Sequence, residues 1–408
     1  NDFSNFNVTV NYPITLGKPT FLKPNLPSAL NNANENSIKF TKEELGSSGI
    51  SMAFGNFQNY DFNLTYHLEN KNLFATQTEI ALPPTTNYQD VYINKILPKP
   101  ENVYIDSDGN WLAKYTLAPS KRLDIKVLGR AKIYLSPKKE VLTKDDEKTY
   151  IKQQDYWETQ NPKIQTLAKQ LKTPDAIYKY VVDNLKYDFS RIESGKGRAG
   201  AVQSLQNPTS AVCLEFTDLF IALARANGIP TRAINGFAYT DNSVSRPLSL
   251  LKDVLHAWPQ YYDFDKKTWI MVDPTWGNTT NGVDYFNTLD FDHFTFVING
   301  ESSTYPVPAG GYKLSNNLNT KDVDVSITKS FTPKGAILEP TINLDSNLIA
   351  GLSINGVVKI QNNGDGISKN TNLFIYADKL NPNSQSYSVS KIPPYGYVLK
   401  PFYFDKTS

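Results

Sequence analysis

At 408 residues the chain exceeds one ordinary domain, and its 40% hydrophobic, 12% aromatic and 20% charged residues suit folded cores and exclude extensive disorder. Forty-two Lys plus Arg stand against forty Asp plus Glu, so a net charge of +2 leaves no strong field to recruit nucleic acid or an anionic membrane. One cysteine excludes an intramolecular disulfide framework, and three histidines (His67, His256, His293) supply no Cys/His cluster with zinc-ligand spacing, so no metal and no cofactor is expected.

No apolar run approaches the roughly 20 residues of a membrane helix, and no basic-then-apolar signal segment opens the chain. Removal of a signal peptide or anchor is expected, from the start at Asn1 without Met and the aromatic run Phe402-Tyr403-Phe404 near the other end. The lone thiol fits a reduced cytosol equally with an exported protein that keeps its cysteine for reactivity.

Residues 1–37, rich in Asn and Pro, read as an extended arm or edge strand. From about Ile38 to Leu135 the pattern is mainly strands: Phe62, Leu64, Tyr66 and Leu68 alternate with polar residues, as do Trp111, Ala113, Tyr115 and Leu117. This predicts a β-sandwich over 1–140. Alternate oxygens in Asp106-Ser107-Asp108-Gly109-Asn110 suggest a calcium loop, but Trp111 stands where the EF-hand needs Gly and Leu117 where it needs Glu, so a hairpin turn is the better reading.

Helices follow, at Lys163 to Leu171 and then at Thr173 to Lys186, where Thr173 is the N-cap and Pro174 takes the first helical position. After a Gly-containing loop, Thr209 or Ser210 caps another helix ending at Asn227-Gly228, with Phe216, Leu219, Phe220 and Leu223 as its buried stripe and Cys213 in its first turn. Strand character resumes at 231–240, 255–264 and 268–275, making 141–305 an α+β domain. Past about Pro306 the chain is β again, with strands at Val357 to Ile360 and Leu373 to Tyr376, so a second small sandwich is expected over 306–408.

A first helical turn stabilises a thiolate through unpaired N–H groups and the partial positive charge of the helix. Such a thiolate needs a base, and the base needs an acceptor that fixes its tautomer. His256 and Asp273 supply both, on successive predicted strands joined near Asp265-Lys266-Lys267. An even-length loop puts both side chains on one sheet face; with the turn at Lys266-Lys267 they are diagonal, and contact then requires a bulge or an earlier turn. Taken separately, His256 reads equally as a satisfied strand histidine and Asp273 as a cap of the turn made with Pro274. His293 is a rival base without an orienting carboxylate on its hairpin, and His67 reads as a solvent-facing strand residue.

Four separated blocks carry a resemblance: Ala211-Val212-Cys213-Leu214-Glu215-Phe216, then Leu223 to Arg232 (LARANGIPTR), then His256-Ala257-Trp258, then Asp273-Pro274-Thr275-Trp276. They resemble the bacterial transglutaminase-like superfamily, in which the helix bearing the Cys is followed by a RAxGIPxR turn, the His by Ala-Trp and the Asp by Pro-Thr. The helix pair before Tyr187-Asp188 also matches, so the resemblance covers roughly residues 145 to 300. One departure is Ala211-Val212, where many relatives have Gly one or two positions before the Cys.

The resemblance implies a papain-like transglutaminase core, with Cys213 as nucleophile, His256 as general base and acid, and Asp273 orienting the imidazole. It implies substrate-binding walls at Trp258, Trp276, Tyr187 and Gln203, the second oxyanion donor beside the Cys213 amide being left between Gln203 and Tyr187. The implied activity is acyl transfer on protein or peptide amides, with hydrolysis favoured over transamidation. The rival is a non-enzymatic surface protein that uses the same scaffold for binding. The stretch Glu79 to Pro84 with Asp108 to Trp111 resembles β-domains of exported bacterial proteins, and the tail resembles immunoglobulin-like modules of cell-surface proteins. A location outside the cytoplasm, at or near the cell envelope, is expected from these flanks.

Overall fold

Residues 6–24, 36–45, 50–193, 197–248, 253, 255–281, 283–287, 289–314, 320–344 and 353–406 are described by a computed structural model. Helices α1 (Pro162–Leu171) and α2 (Pro174–Asn184) start as their sequences dictate. Each has proline in the first turn, and the Asn161 and Thr173 side chains cap them by accepting the Lys163 and Ala176 amides. Next come α3 (Ala201–Gln206) and α4 (Cys213–Ala226); beyond α4, Gly228 takes φ +73°, the left-handed region that glycine enters without strain. The expected caps Thr209 and Ser210 lie in the turn before α4. Its N-cap is Val212, which offers no side-chain oxygen, so the Glu215 carboxylate reaches back to accept the Val212 amide at 3.0 Å.

Four antiparallel strands follow: β1 (Thr231–Ala238), β2 (Leu255–Asp263), β3 (Thr268–Met271) and β4 (His293–Asn299), ordered β3-β2-β1-β4 in the sheet. Strand character was expected to run through Thr275. It stops at Met271 because Pro274 has no amide to donate and instead opens a short helix, α5 (Pro274–Thr279). One apolar cluster joins helices to sheet, with Ile164 from α1, Ile177 and Val181 from α2, the stripe Phe216, Leu219, Phe220 and Leu223 of α4, and Trp258 of β2.

These elements belong to one compact unit, Asn1–Gln58, Thr86–Gln89 and Lys132–Pro308. Within it the described part of the expected N-terminal arm is paired: Asn7–Asn11 with Ser37–Thr41, and Phe21–Lys23 with Ser51–Ala53, around Leu22, Ile38 and Phe40. Residues 1–5 and 25–35 of that stretch lie outside the described residues.

The second unit, Asn59–Thr85, Asp90–Ala131 and Ala309–Ser408, has only β-strands as regular structure among its described residues. One sheet has the strand order Val323–Ile327, Phe57–Glu69, Arg122–Tyr134, Gln89–Leu97, and another Thr76–Leu82, Trp111–Leu117, Asn102–Ile105. The predicted alternation is real, since Phe62, Leu64, Tyr66 and Leu68 are all buried, as are Trp111, Ala113, Tyr115 and Leu117. Asp106 to Asn110 forms the hairpin turn, with the Asp106 carboxylate accepting the Asn110 amide at 2.8 Å. Val323–Ile327 pairs with the strand containing Leu64, so the composition boundary near Pro306 is crossed by a sheet. Later strands Leu338–Leu344, Ile354–Asn362, Tyr397–Lys406 and Leu380–Asn381 form a further sheet, and its buried Val358, Ile360 and Phe402 share a cluster with Ile375 and Val389 of the pair Thr371–Tyr376 and Ser384–Val389. Among the described residues no helix is long and apolar enough to cross a membrane.

Candidate active site

Cys213 is the first residue of α4, His256 lies on β2, and Asp273 is the N-cap of α5; all three are at most 1% exposed. The β2–β3 hairpin pairs Asp263 with Thr268 and Gln260 with Met271, and the Val272 amide still donates to Pro259 O. The turn spans residues 264–267, earlier than the expected Lys266-Lys267, and without a bulge in the pairing it still leaves His256 and Asp273 diagonal. The strand simply ends, and the cap conformation of Asp273 (φ −129°, ψ 91°) turns its carboxylate toward His256. Oδ1 accepts the Thr275 and Trp276 amides at 2.9 and 3.1 Å, while Oδ2 lies 2.9 Å from His256 Nε2. Capping and the histidine contact coexist because they use different oxygens.

With Nε2 engaged, His256 Nδ1 is buried and has no hydrogen-bond partner among the described residues, and the Cys213 side chain acts on the same ring. Burial opposes charge on the imidazole, but the Asp273 carboxylate and then Cys213 outweigh it and raise His256 to about 9. Burial likewise pushes Asp273 up, yet the charges and hydrogen bonds of His256 and His293 hold it well below the usual carboxylate range.

His293 was set aside for want of a carboxylate, and here the structure differs. It opens β4, pairs with Ala238 across β1, and places Nε2 at 3.2 Å from Asp273 Oδ2 and Nδ1 at 2.7 Å from Asp290 Oδ1. Burial opposes its charge, and Asp290 and Asp273 together raise it to about 9. One ligand atom each from His256, Asp273 and His293 falls within 4.8 Å of the others, a grouping that can hold a metal ion and that no sequence spacing reveals. A cation there would have to replace the 2.9 and 3.2 Å hydrogen bonds and take His256 away from Cys213.

Residues 158–274, which hold Cys213, His256 and Asp273, match the family model of the transglutaminase-like superfamily core. This segment is a transglutaminase-like domain. No curated protein matches the chain. Solved structures with distant similarity include a Cytophaga hutchinsonii protein assigned as a cysteine protease (17% identity, covering 67% of this chain and 99% of that one, TM-score 0.41). Another is the periplasmic domain of TgpA from Pseudomonas aeruginosa (13% identity, 55% of this chain and 91% of that one, TM-score 0.31). A third is red sea bream transglutaminase (11% identity, 82% and 75%, TM-score 0.26).

Aromatic rings surround the His256 and His293 imidazoles. Trp276 stacks on His256 with centroids 5.0 Å apart, Trp258 lies 5.9 Å from the same ring, and Trp258 meets His293 edge-on at 4.8 Å. Tyr187 is half-buried beside the first turn of α4, its ring 6.5 Å from that of Phe216. Gln203 is exposed on α3, and among the described residues no hydrogen bond joins its side chain to the buried cluster. His67 belongs to the other unit and is not freely solvent-facing, since it bonds Asp124 at 2.7 Å and Asp322 at 3.2 Å.

Two buried ion pairs behind Cys213 were also not foreseen. Glu215 meets Arg191 at 3.0 Å and accepts the Ala199 amide at 2.8 Å, while Asp218 meets Arg198 and accepts from Trp157 Nε1 at 2.9 Å. Both acids lie on α4, and their spacing from Cys213 is the one signal that could have found them. For His293 the only local signal is Asp290 three residues earlier.

Proposed function

We propose that the protein is a cysteine-dependent acyl-transfer enzyme acting on protein or peptide amides, with hydrolysis favoured over transamidation. The observation that carries this reading is the division of labour on His256: Nε2 is taken by Asp273, while buried Nδ1 has no hydrogen-bond partner among the described residues and the ring interacts with Cys213. That arrangement suits a Cys/His/Asp relay.

Cys213 Sγ, as thiolate, attacks the amide carbon. The C–N bond breaks as His256 passes its Nδ1 proton to the leaving amine, and a thioester remains. Water then attacks the thioester, giving a proton to His256 as the C–S bond breaks, and the carboxylic acid product leaves with the thiolate restored. Asp273 keeps the imidazole oriented throughout and stabilises its protonated form. A lysine-like amine in place of water would make the product a crosslink. We also place the protein outside the cytoplasm, on the character of its β-rich flanks; cell fractionation tests this.

Burial of all three residues is what a non-enzymatic binding scaffold would equally show, so the test must read reactivity. The pH dependence of iodoacetamide alkylation of Cys213 is measured in wild type and His256→Ala. Rapid labelling near pH 6 that the substitution abolishes supports the relay. Slow labelling that rises only above about pH 8 in both proteins overturns it and leaves the scaffold reading.

A further inference from the structure

His293 and Asp290 are buried and bonded in series to Asp273, yet the acyl-transfer steps give neither of them a part. We propose that His293 is a positioning residue for acyl transfer: it holds Asp273 Oδ2 in place and ionised, and so acts on Cys213 through Asp273 and His256. Asp290 is the anchor that fixes the His293 ring. This deepens the reading of Cys213 and His256 as a working pair and rests on it.

The bonds on each atom define the role. Asp273 Oδ1 is spent on the Thr275 and Trp276 amides, so the helix cap holds one oxygen of the carboxylate and not the one that meets His256. That oxygen, Oδ2, accepts from His256 Nε2 at 2.9 Å and, from a second direction, from His293 Nε2 at 3.2 Å. Ionised carboxylates only accept. With Asp290 Oδ1 at Nδ1 and Asp273 Oδ2 at Nε2, the His293 ring donates from both nitrogens and is an imidazolium. A fixed positive charge beside Oδ2 opposes transfer of a proton from His256 to Asp273, so the proton stays on the ring that must pass it to the leaving amine.

The His293 ring is itself held on every side. Asp290 Oδ1, its anchor, also accepts the Asp292 amide at 3.0 Å, which fixes the carboxylate. Trp258 meets the ring edge-on at 4.8 Å and Trp276 lies 4.7 Å from it. The same two indoles flank His256, at 5.9 and 5.0 Å, so one pair of aromatic side chains sets both imidazoles. Backbone pairing sets their spacing: His256 lies opposite Gly236 on one side of β1, and His293 lies opposite Ala238 on the other. Packing alone would be served by an apolar side chain at 293. Two carboxylates aimed at its two nitrogens, in a site that excludes water, are an arrangement for orienting charge.

Three substitutions separate the contact with Asp273 from the contact with Asp290. In His293→Gln the amide reaches as far as Nε2 and still donates to Asp273 Oδ2, while Asp290 loses its partner. In His293→Asn the shorter amide matches Nδ1, so Asp290 keeps a donor and Asp273 loses one. His293→Met serves neither. Alkylation of Cys213 by iodoacetamide is timed by mass spectrometry on the full chain at about pH 6, where an unpaired thiol is almost wholly protonated, with a thermal melt as folding control. Asparagine and methionine are expected to slow it about 10²-fold, and glutamine to remain at least about tenfold faster than both. A structural role would favour asparagine, which keeps Asp290 partnered, over glutamine. Glutamine no faster than asparagine therefore overturns the proposal, as does asparagine within about twofold of wild type; a methionine variant that does not fold leaves that comparison intact. Wild-type alkylation that does not depend on His256 instead overturns the nucleophile reading itself.

Discussion

Asp273 Oδ2 sits between two imidazoles, 2.9 Å from His256 Nε2 and 3.2 Å from His293 Nε2. A single carboxylate oxygen cannot neutralise two buried cations, and Asp290 at 2.7 Å from His293 Nδ1 supplies the second negative charge. The result is a buried row, Asp290, His293, Asp273, His256, in which each charge faces an opposite one.

Asp273→Asn separates the charge from the cap. Asparagine can still accept the Thr275 and Trp276 amides, so α5 keeps its start, but His256 loses the charge that offsets its burial. Its titration midpoint, followed by NMR of the ring protons, should fall from about 9 toward or below the ordinary value of about 6.5. Acylation of Cys213 should slow about 10³-fold or more. A midpoint unmoved by the substitution would remove Asp273 from its assigned role.

Stability should follow the same row. His256 and His293 hold protons to about 9 in the folded chain against about 6.5 unfolded, so their contribution is complete below about pH 6.5 and is lost as pH rises through about 9. Asp273 and Asp290 titrate below their unfolded values, so theirs is present above about pH 4 and lost in stronger acid. Urea midpoints between pH 5 and 10 should decline toward the alkaline end. In His293→Gln the decline should be shallower, and an identical slope in wild type and variant would contradict the assignment.

Lys23 is a buried amine with no hydrogen-bond partner among the described residues, 2.9 Å from the centre of the Tyr285 ring. Burial lowers it to about 7, against the partial help of Asp290. Its folded value lies below its unfolded one, so the cost of charging it is fully present below about pH 7 and fades as pH rises toward about 10.5. Lys23→Met should stabilise the protein by about 1–3 kcal/mol at pH 6 and by less than half of that at pH 9, as read by urea denaturation. An equal gain at both values would show that shape, and not charge, is the difference.

Gly236 pairs with His256 across β1 and β2, and the β1–β4 pairing shifts register between Asn235 and Gly236. A Cβ built there would meet Phe294 O at 2.1 Å, a backbone atom that cannot step aside without moving β4. Gly236→Ala should cost about 1–3 kcal/mol and slow Cys213 acylation, because β1 lies between the strands carrying His256 and His293. Unchanged denaturation would show that β4 yields freely.

Much of the site was legible because it is written in short stretches. The Thr173-Pro174 start of α2, the apolar stripe of α4 and the place of Cys213 in its first turn depend only on neighbours within a turn or two. The motif blocks around Cys213, His256 and Asp273 are equally local, which is why they could be read without knowing how the strands meet. The cap of α4 was misplaced to Thr209 or Ser210 because a carboxylate three residues inside the helix does that work.

What tertiary structure alone decided is convergence. Hairpin arithmetic left His256 and Asp273 diagonal, and their contact exists because β3 stops and α5 begins. His293 reaches Asp273 only because β4 lies beside β1 and not beside β3, and Val323–Ile327 joins a strand more than 250 residues earlier in the same way. Periodicity and capping are paid for within one element, so sequence determines them by itself; which strands become neighbours depends on the burial of whole faces at once, and no local stretch carries that information.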